Sequence, residues 1–151
     1  MIKLGSKIRD FNLKDQNGRE VRLSDFKGKR VILSFHPLAW TPVCRDQMRD
    51  LEKNYEKFEE LNAVALGISV DSTFCKHAWA DAIGIDKTIL LSDFWPHGEF
   101  ARQLGIFNEE KGFSERANII LDEEGRVIFV KLYEISQLPD INEVIEFLKN
   151  H

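Results

Sequence analysis

Apolar residues recur along this chain in two spacings, short runs or alternations of strand type and stripes of helix type, and the two take turns. Gln16-Asn17-Gly18-Arg19 is a turn signal, and the alternation Val21-Arg22-Leu23 after it predicts an early hairpin. Arg30 to Phe35 reads as a buried strand, and Pro42 to Glu60 sets Met48, Leu51, Tyr55 and Phe58 on one helical face. The continuously apolar stretch Ala63 to Val70 has the pattern of a strand covered on both sides. Asp71-Ser72-Thr73 then supplies caps for a helix to about Ile83. A short strand at Ile89-Leu90-Leu91 and a helix around Gly98 to Leu104 follow. Ala117 to Leu121 and Val127 to Val130 flank the turn Asp122-Glu123-Glu124-Gly125 as an antiparallel hairpin, and a last helix turns Ile141, Val144, Ile145 and Leu148 inward. Strands joined through helices, then a hairpin and a helix, predict an α/β fold with a mixed central sheet, helices on both faces and an N-terminal β-hairpin.

Composition narrows this to one domain over residues 1–151, because 151 residues with 43% hydrophobic content suit a single core. A net charge of -4 without a basic run argues against nucleic acid or an anionic membrane as a partner. No signal-type leader and no run of about 18 apolar residues occurs, so the sequence reads as cytoplasmic. The 2 cysteines are too few for a disulfide framework and lack zinc-ligand spacing. His36, His77 and His97 are scattered relative to them, so each is expected at the surface or as a satisfied polar residue, and neither a metal nor a cofactor is expected.

The segment Pro37-Leu38-Ala39-Trp40-Thr41-Pro42-Val43-Cys44 carries the candidate chemistry. Thr41 fits a helix N-cap, Pro42 the first helical position and Cys44 the third, where backbone N–H groups remain free. A free thiol, with a pKa of ~8.5, is only a few per cent thiolate at neutral pH, and the thiolate is the nucleophile. A helix end contributes only about 0.3 to 1 kcal/mol, so a nucleophile here also needs a cation. The plain alternative is a core cysteine, since Cys44, Met48, Leu51 and Tyr55 continue one stripe. Arg116, ahead of a strongly apolar strand, is in isolation an ordinary strand-edge charge.

Taken together the motifs resemble the peroxiredoxins, of the alkyl hydroperoxide reductase-like group in the thioredoxin-fold superfamily. Pro37, Thr41 and Cys44 match the family's Pro-x-x-x-Thr-x-x-Cys, and Arg116 before Asn118-Ile119-Ile120-Leu121-Asp122 matches its distal arginine. Gly5 to Phe11, Leu23 to Lys29, Ser69-Val70-Asp71-Ser72 with Ala78-Trp79, and Leu91-Ser92-Asp93 extend the similarity over nearly the whole chain. The resemblance implies a thioredoxin-like fold and a peroxidase whose Cys44 thiolate becomes a sulfenic acid, recycled by a thioredoxin-like or other thiol reductant. On that reading Arg116 stabilises the thiolate and binds the peroxide, Thr41 positions the attacked oxygen, and Pro37 shields the sulfur. It also implies homodimers or larger rings.

Recycling needs a second thiol, and Cys75 is the only internal candidate. It falls on a stripe with Trp79 and Ala82, so an inert buried thiol and a resolving one are both open. Position 49 is Arg49 and no cysteine follows Cys75, so the resolving cysteines of many two-cysteine relatives are absent. A disulfide reductase would need Cys-x-x-Cys, but position 47 is Gln47; a copper-delivering relative would need Cys-x-x-x-Cys, but position 48 is Met48. A non-enzymatic redox sensor is the remaining alternative. Trp40 and Phe94-Trp95-Pro96-His97 are candidates for lining the site, for the core or for a subunit contact.

Overall fold

The computed structural model describes residues 1–151. The N-terminal hairpin is β1 (Asn12–Asp15) with β2 (Glu20–Arg22), followed by a 3-10 turn over Leu23–Phe26. The chain continues through β3 (Arg30–Phe35), α1 (Pro42–Lys53), α2 (Tyr55–Glu60), β4 (Ala63–Ser69), α3 (Thr73–Ile83), β5 (Ile89–Ser92) and α4 (Glu99–Gln103). A two-residue pair, β6 (Phe107–Asn108) and β7 (Phe113–Ser114), precedes β8 (Arg116–Leu121), β9 (Val127–Tyr133) and α5 (Ile141–Asn150). Seven strands form one sheet in the order β2-β1-β5-β4-β3-β8-β9. The central β3, β4 and β5 run parallel, and β1 and β8 pair with them antiparallel.

Period-2 alternation in the central strands divides the core in two. Ile32 and Ile120 face Cys44, Met48 and Leu51 of α1, Phe58 of α2, Trp79 and Ile83 of α3, and Val144 and Leu148 of α5. Val31, Leu33, Phe35, Ala117 and Ile119 face Phe11, Phe100 and Leu104 on the other side. Four helices therefore cover one face, while α4 and the N-terminal segment cover the other.

The stretch expected as one helix from Pro42 to Glu60 is two, broken at Asn54. The Asn54 side-chain amide donates to the Asp50 carbonyl, and its backbone N–H turns instead to Leu51, tightening the chain there. The β6–β7 pair and the 3-10 turn are absent from the sequence reading, being too short to show a period.

Because β3, β4 and β5 are parallel, the segments after each of them emerge at the same end of the sheet. That end gathers Pro37 to Thr41, Asp71 to Cys75 and Asp93 to His97. The β3–β8 register pairs Phe35 with Ala117 and Ser34 with Asn118, so Arg116 lies beside the residue that follows Phe35.

Candidate active site

Cys44 lies in the first turn of α1, as Thr41 at the N-cap and Pro42 at the first helical position require. Thr41 does not cap with its side chain; its Oγ1 donates to the Leu38 carbonyl at 2.8 Å. That bond uses the hydroxyl proton and leaves the oxygen's lone pairs to accept. Trp40 is held at φ 69°, a left-handed conformation that bulky residues rarely adopt, and this bends the segment from β3 into α1. Pro37 is buried beneath the segment. The Asp71 carboxylate fastens its middle by accepting from the Ala39 N–H at 2.8 Å and from Ser69 Oγ at 2.6 Å.

Cys44 is 0% exposed and Arg116 2% exposed, and Arg116 Nη1 donates to Cys44 Sγ at 3.3 Å. The same nitrogen donates to Gln47 Oε1 at 2.8 Å, and Nε and Nη2 both donate to the Ile135 carbonyl. Gln47, one helical turn beyond Cys44, donates through Nε2 to Ser34 Oγ at 2.8 Å and to the Phe35 carbonyl. The amide's two ends are thereby assigned, and its oxygen faces the guanidinium. An arginine remote in sequence is thus aimed at the sulfur by one helix, one strand and the segment after β9. In so dry a place the guanidinium sets a permanent positive charge and a rigid donor against the sulfur.

The site extends past the residues singled out from sequence. Gln47 entered the sequence reading only as a missing cysteine, and Ser34 and Lys76 did not enter at all. The signal available was alternation, since Ser34 and His36 fall on the same face of β3 as Ile32. His36 departs from the expectation of a surface or satisfied residue: it is 0% exposed, Nε2 lies 2.7 Å from Lys76 Nζ, and Nδ1 has no hydrogen-bond partner. His77 is exposed, and His97 bonds the Gly112 carbonyl. No group of three potential metal ligands forms.

Cys75 is half-buried in the first turn of α3 and packs against the core cluster that contains Cys44. Its N–H bonds the Ser72 cap, and its sulfur lies 3.7 Å from Asp71 Oδ1. Burial first, and then the Asp71 charge, push the Cys75 thiol up, while the Trp40 side chain opposes them. On its stripe Trp79 is buried and Ala82 exposed. The largest surface cavity, lined by Lys7, Asp10, Lys27 and Glu124 among others, lies toward the opposite end of the sheet and touches none of these groups.

Comparison with known proteins agrees with this geometry, since residues 4–130 match the model of the AhpC/TSA family. The chain belongs to the AhpC/TSA family of peroxiredoxins. It is 36% identical over 141 residues to alkyl hydroperoxide reductase E of Mycobacterium tuberculosis, covering 93% of this chain and 92% of that protein. It is 32% identical to the thiol peroxidase of Streptococcus parasanguinis, covering 98% and 89%. Peroxiredoxin Bcp of Bacillus subtilis is also 32% identical, with 84% and 83% covered. Among solved structures, Enterococcus faecalis AhpC superposes with a TM-score of 0.92 at 29% identity, covering 99% of this chain and 92% of that one. The reduced 2-Cys peroxiredoxin of Plasmodium vivax gives 0.89 at 27% identity, covering 99% and 81%. This peroxiredoxin has the thioredoxin fold and is a thiol-dependent peroxidase.

Proposed function

We propose that this peroxiredoxin reduces hydrogen peroxide and organic hydroperoxides at Cys44, with Arg116, Thr41 and Pro37 as its site residues. The reading rests above all on the 3.3 Å contact between the Arg116 guanidinium and a sulfur with no solvent exposure. The Cys44 thiolate attacks the terminal peroxide oxygen; a sulfur–oxygen bond forms, the oxygen–oxygen bond breaks, and an alkoxide or hydroxide leaves. Arg116 and the Cys44 backbone N–H stabilise the developing negative oxygen, and Thr41 Oγ1 accepts from the peroxide O–H. Pro37 keeps bulk water and further oxidant from the sulfenic acid. Substitution Cys44→Ser is expected to abolish peroxide consumption in a coupled assay, and undiminished turnover would refute the assignment.

Cys75 is the resolving thiol on this reading. Its thiol attacks the Cys44 sulfenic acid, forming a disulfide and releasing water, and an external thiol reductant restores both cysteines. Support comes from the shared core cluster and from Trp40, which contacts Cys75 yet belongs to the segment that leads into Cys44. Cys44 and Cys75 each sit in the first turn of a helix, and disulfide bonding tolerates Cα separations only up to about 7 Å, so on this reading the step proceeds with local unwinding. Peroxide-treated protein is expected to show a Cys44–Cys75 bond by mass spectrometry on non-reduced material. A stable sulfenate or external adducts alone would make it a one-cysteine enzyme.

The chain is further proposed to act in the cytoplasm as a homodimer or larger homo-oligomer, without nucleic-acid or membrane partners. No helix is long and apolar enough to cross a membrane, and Leu38, Trp40, Phe74, Phe94 and Trp95 stand exposed at the active-site end of the sheet. Such apolar surface suits contact with a second copy.

A further inference from the structure

His36 follows β3 and Lys76 lies in the first turns of α3, yet the two meet in the core with Nε2 and Nζ 2.7 Å apart and both side chains 0% exposed. Trp79 packs on both, 5.4 Å from the His36 ring centroid and 5.4 Å from Lys76 Nζ. A buried amine against a buried imidazole is a costly filling for a core, and an apolar pair would serve packing better. At 2.7 Å one nitrogen must donate and the other accept. Either the ammonium donates to a neutral ring, or a neutral amine accepts from the ring N–H; two positive charges cannot share the contact. The pair therefore carries one proton charge or none.

The titratable and charged groups whose fields reach it are Cys44 from α1, Arg116 from β8, Asp71 from the segment before α3, and Cys75 from α3 itself. Burial, then the charge of Lys76, hold His36 well below its ordinary range, with Arg116 adding to them and the Ser34 backbone opposing. Burial pushes Lys76 down to about 7, while Asp71, Cys44 and Cys75, in that order, favour its charged form.

We propose that the Lys76–His36 pair holds the proton Cys44 gives up on ionising and releases it to the oxygen that leaves when the sulfur attacks a peroxide. The proposal rests on Cys44 being the attacking sulfur. Before attack the site contains a thiolate and a singly protonated pair. The sulfur takes the terminal O–H of the peroxide to become a sulfenic acid, the oxygen–oxygen bond breaks, and the alkoxide accepts the pair's proton. Thiolate, protonated pair and hydroperoxide thus become sulfenic acid, neutral pair and alcohol, so the charges of sulfur and pair cancel while the Arg116 guanidinium keeps its own. With the sulfur neutral, the Cys44 contribution to the pair's charged form is lost while that of Asp71 stays. Lys76 and His36 together act as the general acid for the leaving oxygen in this scheme.

The test counts protons in single-turnover oxidation by hydrogen peroxide, using a pH indicator in weak buffer near neutrality. Reduced protein carries Cys75→Ser so that oxidation stops at the sulfenic acid. Thiolate ultraviolet absorbance is followed in the same mixing experiment. Protein with the pair intact is expected to take up well below one proton from solvent per thiolate lost. Adding Lys76→Met or, independently, His36→Phe is expected to raise this to one proton per thiolate. One proton per thiolate in all three proteins would overturn the proposal. A thiolate signal that peroxide does not remove would overturn the assignment of Cys44 instead.

Discussion

Arg116 presents five N–H donors in a rigid fork, and the fold engages all three of its nitrogens, with Cys44, Gln47 and Ile135 as partners. Lysine at this position would keep the charge and lose the fork. Arg116→Met is expected to slow peroxide reduction about 100- to 1000-fold, the range for removing one preorganised donor from a developing oxyanion, as read by stopped-flow kinetics. Lys76 carries a different signature. Its value in the native state is about 7, against about 10.4 in an unfolded chain, so between those limits the unfolded state binds the extra proton. Stability therefore rises with pH across that window and is lowest below it. Lys76→Met is expected to stabilise the protein at neutral pH by a few kcal/mol, roughly, and to flatten this rise, as checked by urea unfolding across pH. The sequence proposes Pro37, Thr41 and Cys44 through a spaced motif and Arg116 through its place before an apolar strand. Gln47 and Lys76 stayed hidden because a single polar residue on an otherwise apolar helix face has no local partner to reveal it.

Among the elements, α1 must be seated accurately for Cys44 to meet the guanidinium, and its seat is β4. Gly67 makes that fit possible: a Cβ there would come 2.2 Å from Met48 Sδ and 2.9 Å from Leu90 Cδ2. Gly67→Ala is expected to destabilise the fold by about 1 to 3 kcal/mol through overpacking, measured as a lower urea midpoint, and to lower peroxidase activity by displacing α1. The parallel strands were legible because they are continuously apolar and separated by helix-length stripes. The break at Asn54 was not, since Met48, Leu51, Tyr55 and Phe58 keep their spacing across it. What interrupts the helix is one side-chain amide competing for the Asp50 carbonyl, an event with no periodicity. The strand that starts at Val127 runs three residues beyond the Val130 expected from its apolar run, to Tyr133, because pairing with Ala117 and Arg116 continues past that run.

Over the whole molecule, the strand directions concentrate both chemistry and exposed apolar surface at one end. Phe74, in the first turn of α3, is 86% exposed, and Trp95, after β5, is 82% exposed. Sedimentation is expected to give a mass above one chain that falls on dilution, and Phe74→Glu with Trp95→Glu to shift it toward a single chain. Nothing in the linear sequence distinguishes these aromatics from core residues; only the folded sheet turns them outward. The carbonyl of Ile135 has a further consequence, for it steers the guanidinium from a stretch that follows the last strand and has an exposed side chain at 42%. A protease nick between Tyr133 and Leu138 would spare both thiols and every motif in the first 130 residues, yet let the arginine swing off its target. Such clipped protein would titrate with its full complement of sulfhydryls and still be a poor scavenger.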